Sequence, residues 1–331
     1  MVTLSDIDNN ALLRAKDLIY PSRYGKWDSE IVLKDYSEVD NLSYDAVFIG
    51  TPPISHIPLA IIEGRLERSR IILIEKPLCA PDLSDLDDLN LLAAKGAVKF
   101  LVGYNHRVSK VVSYIPEFID ARDFGEIFSI RARTREHWAG ILNAHPWLDS
   151  PQSSYLGSMN EGGGALLEHS HSLNLFLYFC ELLRVGSVTH VSAVQDLKTV
   201  KGKTYDQNSQ LFLRTESGCL GLVEQDVISK PSEKFIEVTA EKGNFKITFS
   251  SDLDILEYRF ADGPLEVMEF PKRREDDFIS EVEHIEKLLL DSTLYSPLNL
   301  EQSISTMRVI KGAIESNLFR KEVSLQVADI D

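Results

Sequence analysis

The sequence is short of cysteine, of positive charge and of long apolar runs, and each shortage narrows what the protein can be. Three cysteines in 331 residues, Cys79, Cys180 and Cys219, are too few and too far apart for a disulfide framework or a thiolate metal site. Cys79 and Cys180 lie in apolar stretches and read as buried thiols, which suits a reducing, cytoplasmic setting. Lysine and arginine total 35 against 51 aspartates and glutamates, for a net charge of −16. A surface this acidic repels nucleic acid and anionic membranes, although a local basic pocket could still take an anionic small molecule. No apolar run approaches the length needed to span a bilayer. The first twenty residues carry acids and no apolar core, so no secretory leader is expected. Internal repeats and low-complexity segments are also missing.

What is present is ordinary globular composition, 44% hydrophobic and 26% charged, over a length that suits two domains. Short β-branched runs alternate with helical spacing through the first third. Strands are predicted at Val2–Ser5, Ile31–Lys34, Ala46–Gly50, Ile71–Ile74 and Phe100–Gly103, with helices over Asn10–Ile19, Ile57–Ile62 and Leu83–Ala94, the last capped by Asp82 or Ser84. Wholly apolar strands separated by helices imply a parallel sheet covered on both faces, a doubly wound α/β domain. After about residue 108 the pattern changes. A helix over Val112–Ala121 and a strand over Glu126–Thr134 precede a loop from His137 to Asn160 and a helix from Gly164 to Leu183. Strand-like segments with turn signals between them then follow up to Phe260, and two helices close the chain. That is an α+β domain with a large, mainly antiparallel open sheet. The predicted division is 1–107 and 108–331.

Chemistry-bearing residues gather at predicted strand ends, where open α/β sheets bind ligands. Asp6, in Ser5-Asp6-Ile7-Asp8, would bond ribose hydroxyls and repel a 2′-phosphate, favouring NAD over NADP, while Asp8 reads equally as a helix cap. Gly50-Thr51-Pro52-Pro53 with His56 marks another strand end, or a plain turn. Glu75-Lys76-Pro77 is harder to explain by packing: an ammonium there could stabilise a developing alkoxide, against the reading of a solvated loop lysine. Gly103-Tyr104-Asn105-His106-Arg107 ends the next strand. Gly162-Gly163-Gly164 lets the backbone approach a ligand or bend sharply into a helix, on which Glu168, His171 and Asn174 recur at a spacing of three and would share a face. A histidine there suits general-base work. No H-E-x-x-H pattern accompanies it, so no metal is expected.

In chain order these pieces, S-D-I-D, G-T-P-P-x-x-H, E-K-P-L, N-H-R, F-G-E-I and G-G-G-x-L-x-E-x-S-H, resemble the Gfo/Idh/MocA family of sugar and cyclitol dehydrogenases over nearly the whole chain. The resemblance implies a Rossmann-type domain followed by a substrate-binding domain. It implies hydride transfer between a nicotinamide, NAD rather than NADP, and a sugar hydroxyl or ketone. Lys76, His171 and Glu168 would be catalytic. Asp6, Gly50, Thr51, Pro52, His56, Glu75, Lys76 and Asn105 would meet the cofactor, and Arg107, Trp138, His145, Trp147, Tyr155 and Asn174 the sugar. The E-x-S-H form with its aromatic loop is similar to the branch tied to surface-polysaccharide and acylamino-sugar metabolism. Family precedent implies a homodimer or homotetramer through the second domain's sheet, with no nucleic-acid or membrane partner. Three features depart from the pattern. Asn174 stands where aspartate is common, and His169 and Ser172 add polar groups. The opening strand and G-x-G-x-x-G are also absent, so the chain starts at what corresponds to strand two. The expectation is a recorded start downstream of the true one, or else a shortened protein that binds nicotinamide weakly or not at all. The rival reading is a non-catalytic sugar-binding or assembly protein; a metal hydrolase built on His169 and His171 is remote.

Overall fold

The computed structural model describes residues 1–39 and 42–325. The chain divides into two compact units, Met1–Asp45 and Ala46–Asp331. In the first, β1 (Val2–Asp6) and β2 (Ile31–Asp35) pair in parallel, from Val2 opposite Ile31 to Asp6 opposite Asp35. The connection starts with α1 (Asn9–Arg14), capped by Asp8, whose carboxylate accepts the Asn10 N–H at 2.9 Å. A π-helical turn over Ala15–Ile19 carries the helix on into α2 (Tyr20–Tyr24), one turn beyond the predicted end, until Gly25 stops it at φ 83°. Tyr20 packs on Tyr24 and Trp27 with ring centroids 5.1 and 5.0 Å apart. Two strands bury little, and among the described residues of this unit only Leu12 and Val39 are buried aliphatics.

The second unit holds the remaining predicted α/β strands. β3 (Tyr44–Ile49), β4 (Ser69–Ile74) and β5 (Lys99–Val102) form a sheet in that order. β4 and β5 run parallel, and Ile71 to Ile74 are all buried, as a strand covered on both faces requires. α3 (His56–Leu66) lies so close to this sheet that a Cβ on Gly64 would fall 2.6 Å from the Phe100 ring. α4 (Leu86–Ala93) starts later than predicted. Neither candidate cap acts on it: Asp82 instead accepts from Ser84, and Asp85 at the cap position has φ 59°.

α5 (Lys110–Asp120) leads into a nine-stranded sheet. Its members are β6 (Ile127–Arg135), β7 (Val188–Val200), β8 (Lys203–Thr215), β9 (Leu220–Asp226), β10 (Glu233–Ala240), β11 (Gly243–Phe249), β12 (Leu253–Phe260), β13 (Glu266–Pro271) and β14 (Val323–Ser324). Their order is β13-β12-β11-β10-β6-β9-β8-β7-β14. Every neighbouring pair in this order is antiparallel except β6 with β9, so the sheet is mixed but mainly antiparallel, as expected. β13 and β14 were not predicted, and β14 is only two residues long. The loop predicted from His137 to Asn160 contains α6 (Trp138–Asn143) and three 3₁₀ turns.

The helix predicted from Gly164 to Leu183 is two helices, α7 (Ala165–Glu168) and α8 (His171–Leu182), parted at His169 and Ser170. α8 packs against β6, β9, β10 and the last helix, and Ser172 to Cys180 are all buried. Two closing helices, α9 (Asp276–Leu290) and α10 (Leu300–Phe319), match prediction. Along β6, Ile130, Ala132 and Thr134 are buried, while Arg131, Arg133 and Arg135 alternate with them and converge on Glu224 at 2.7, 2.8 and 3.1 Å. Phe128, Phe212 and Leu220 of the sheet stay about half exposed.

Candidate active site

Three strand ends share one edge of the small sheet. The Glu75 N–H donates to Ile49 O at 2.9 Å and the Gly103 N–H to Ile74 O at 2.8 Å, so Gly50, the Glu75–Lys76 pair and the Gly103–His106 stretch leave the sheet together. Gly50, Thr51 and Pro52 are exposed there. Glu75 folds its carboxyl over Gly103, where a Cβ would come within 3.3 Å of it. Burial raises the Glu75 pKa and the Lys76 charge opposes that rise. His56 is buried and joins the two loops: its Nδ1 meets Pro77 O at 2.9 Å and its Nε2 meets Thr51 O at 2.6 Å. Burial lowers its pKa. Its ring is committed to these carbonyls, so it acts as a brace under the loop.

The Lys76 ammonium crosses to α7. Nζ donates to the main-chain oxygen of Glu168 and to its Oε1, both at 3.0 Å. Both side chains keep some exposure, 16% and 13%. An ammonium held by a carboxylate and a carbonyl keeps one N–H direction for a ligand. His171 opens α8 and is half-buried. Its ring meets Tyr104 edge-on at 5.6 Å and lies 4.4 Å from the His106 ring, which stacks in turn on Phe249 at 5.7 Å. Burial first, then the nearby His106 and Lys76 charges, drive the His171 pKa well below its ordinary value. His106 falls to about 3 for the same first reason, with Lys234, Lys272 and Lys76 adding to it. His171 is therefore neutral at pH 7 and able to accept a proton. Among the described residues, His171 Nδ1 and Glu168 Oε2 are buried without a hydrogen-bond partner, as groups awaiting a ligand would be.

The remaining predicted residues separate. Tyr155 belongs with the cluster, its phenol pushed up by burial and then by the charges of Glu168 and Glu75. Trp138 is buried in a small apolar group with Ile141, Leu156, Ala165, Tyr205 and Val227, behind α7. His145 bonds Ile141 O at 2.8 Å and packs edge-on against Trp147 at 5.2 Å, a local pairing within its own loop. Arg107 is buried and donates to Pro297 O, Asn174 O and Gln302 Oε1 at 2.8, 2.7 and 3.0 Å. Asn174 is also buried, with Nδ2 on Thr306 Oγ1 at 2.9 Å. The break between α7 and α8 is the reason: it takes Asn174 off the face that carries Glu168 and gives it to α10. Asn105 is buried at the start of a 3₁₀ turn. In the first unit, Asp6 ends β1 and accepts the Asp8 N–H at 2.9 Å.

Sequence reasoning passed over His106 and Tyr104, although both sit in the quoted strand-end motif. It also passed over Glu281, a buried α9 residue whose Oε1 has no partner among the described residues. Burial, and then the Glu75 charge, push Glu281 up to about 8. A carboxyl whose folded pKa is raised contributes stability that is full below its ordinary value near 4.5 and is lost as pH rises through about 8. Glu281→Gln should therefore leave thermal stability at pH 5 nearly unchanged and raise it at pH 9, by on the order of 2 kcal/mol. Equal melting-temperature shifts at the two pH values would contradict this.

Comparison with known proteins bears on the fold. Residues 112–246 match the family model described as the GFO/IDH/MocA C-terminal domain. No curated protein sequence matches the chain. Among solved structures, a levoglucosan dehydrogenase in complex with NADH and levoglucosan is similar at TM-score 0.78 and 17% identity, over 98% of this chain and 90% of that one. The aldose-aldose oxidoreductase from Caulobacter crescentus, complexed with glycerol, is similar at TM-score 0.76 and 17% identity, over 98% and 91%. The WlbA dehydrogenase from Bordetella pertussis, in complex with NADH and UDP-GlcNAcA, is similar at TM-score 0.71 and 18% identity, over 99% and 90%. With the glycine-triplet helix, the E-K-P strand end and the large mixed sheet all in place, residues 112–246 match the GFO/IDH/MocA C-terminal domain, and the chain shares the fold of these solved oxidoreductases.

Proposed function

We propose that the protein is an NAD-dependent sugar oxidoreductase, exchanging a hydride between nicotinamide and a carbon that bears a sugar hydroxyl or ketone. The observation that carries this is the Lys76 ammonium held by two oxygens of Glu168 beside the neutral His171 imidazole. Bound nicotinamide would supply or take the hydride. The residues present fit its reactive end, because the exposed Gly50-Thr51-Pro52 loop and Lys76 leave the same sheet edge and unpartnered polar atoms of Glu168 and His171 accompany them.

Each side chain then has a task. A Lys76 N–H donates to the substrate oxygen and stabilises negative charge there as the carbon changes hybridisation. The His171 ring takes the hydroxyl proton during oxidation and returns it during reduction. Glu168 keeps the Lys76 ammonium aimed, and the Tyr155 phenol shields the pair from water. Arg107 and Asn174 hold α8 against α10 and so fix where His171 starts.

The likeness to WlbA, solved with NADH and UDP-GlcNAcA, supports a substrate from surface-polysaccharide or acylamino-sugar metabolism. The half-exposed Phe128, Phe212 and Leu220 on the large sheet support self-association through it. Three free, buried cysteines support a reducing, cytoplasmic setting, and no helix among the described residues is long and apolar enough to cross a membrane. The division 1–107 and 108–331 supplies the cofactor and substrate domains of this reading.

Titrating NADH against the purified chain, with its fluorescence as the signal, should give saturable binding. Adding keto-sugars should then consume the bound cofactor. Saturable binding of sugar without NADH would favour the non-catalytic reading instead.

A further inference from the structure

The turn that presents Glu168 is only four residues long, too short to hold its own shape. Two buried polar side chains on neighbouring strands take hold of it from either end. At its start, the Asp206 carboxylate of β8 accepts the Leu166 N–H at 2.8 Å and the Ser209 hydroxyl at 2.6 Å. At its end, Gln225 Nε2 of β9 donates to His169 O and, at 3.4 Å, to Leu166 O. Both residues are fully buried. Ser209 accepts in turn from Gln195 Nε2 at 3.0 Å, which fixes the carboxylate's rotamer. The glycine triplet serves this arrangement and not a ligand: Gly164 lies at φ 89°, and a Cβ there would run into the Asp206 carboxylate. A Cβ on Gly163 would strike the main chain at Tyr155 and Leu156.

Among the described residues Asp206 Oδ1 and Gln225 Oε1 are buried without a partner, so these side chains carry a burial cost that apolar residues at the same strand positions would not. What they hold is the one turn whose side chain and main-chain carbonyl both reach Lys76. We infer that Asp206 and Gln225 are positioning residues which clamp α7 so that both Glu168 oxygens bind the Lys76 ammonium, and that catalysis depends on them through that lysine. For its kinetic arm this rests on the oxidoreductase reading above; its chemical arm does not.

The test compares Asp206→Asn and Gln225→Met, which keep side-chain size, with the unaltered chain. Lys76 reactivity is measured by limited acetic anhydride labelling and peptide mass spectrometry, in protein shown by circular dichroism to be folded. Both substitutions should make Lys76 label at least about fivefold faster and lower kcat about tenfold or more, with KM changed less than about threefold. In a Glu168→Ala background, Gln225→Met should add no further change to either quantity, because its effect passes through Glu168. Wild-type labelling of Lys76 in both folded variants, or losses that multiply in the Glu168→Ala background, would overturn the clamp. If the unaltered chain turns over no sugar, the oxidoreductase reading fails while labelling still decides the clamp.

Discussion

Lys76→Ala should lower kcat with a keto-sugar and NADH by about a thousandfold or more while leaving the protein folded. The ammonium is the one cation held at the strand edge by Glu168, and its loss removes the donor that would stabilise charge on the reacting oxygen. Lys76 and Glu168 are mostly buried, so removing one partner of the ion pair should cost about 3 kcal/mol, a shift of several degrees in melting temperature. Lys76→Arg should not restore turnover, because a planar guanidinium cannot take the ammonium's place between two oxygens of one residue. Turnover within about tenfold of wild type in Lys76→Ala would remove the lysine from the mechanism.

His171→Asn should reduce kcat by about a hundredfold to ten-thousandfold and change the pH profile as well. The pKa of His171 is depressed by burial and by neighbouring positive charge, so the acid limb of kcat/KM should lie well below pH 6.5. As pH falls through the depressed value the ring takes up a proton, the base is lost and oxidation of the sugar slows. With asparagine in its place, the smaller remaining rate should show no acid limb from this group. The His106 ring tilted against His171 makes a separate check. His106→Phe keeps an apolar ring against His171 at a centroid distance near 4.4 Å, and because His106 is itself neutral down to about pH 3, the acid limb should stay where it is in the unaltered chain. An unchanged limb in His171→Asn would assign it to another group.

Much of this arrangement was legible because the physics behind it is local. Apolar strands ending in Gly50, Glu75 and Gly103 announce buried parallel strands, and such a sheet has one edge where the following residues meet. That sufficed to place Lys76. The Gly162–Gly164 triplet ahead of Glu168 and His171 marked the second partner. The misplaced residues failed for reasons of tertiary structure. Helical spacing put Asn174 beside His171 and Glu168, but the chain changes helix at His169 and Ser170, and no periodicity reports a break inside an apolar run. Arg107 looked like a ligand-binding cation because it follows a strand end. Its partners, Pro297 O and Gln302, lie about 190 residues further on, beyond any spacing rule. Asp206 and Gln225 were hidden differently. Each occupies a buried position in an otherwise regular strand, and such a residue shows its purpose only once the turn it holds is known.

The central claim is that Lys76 and His171 act on one substrate carbon beside the nicotinamide. The most direct measurement is transfer of deuterium from NADH labelled at its reactive carbon to a keto-sugar, followed by mass spectrometry of the sugar. The label should appear on one sugar carbon with the unaltered chain and be lost with Lys76→Ala and with His171→Asn. Saturable NADH binding without labelled sugar in any of the three, or equal labelling in all three, would contradict it.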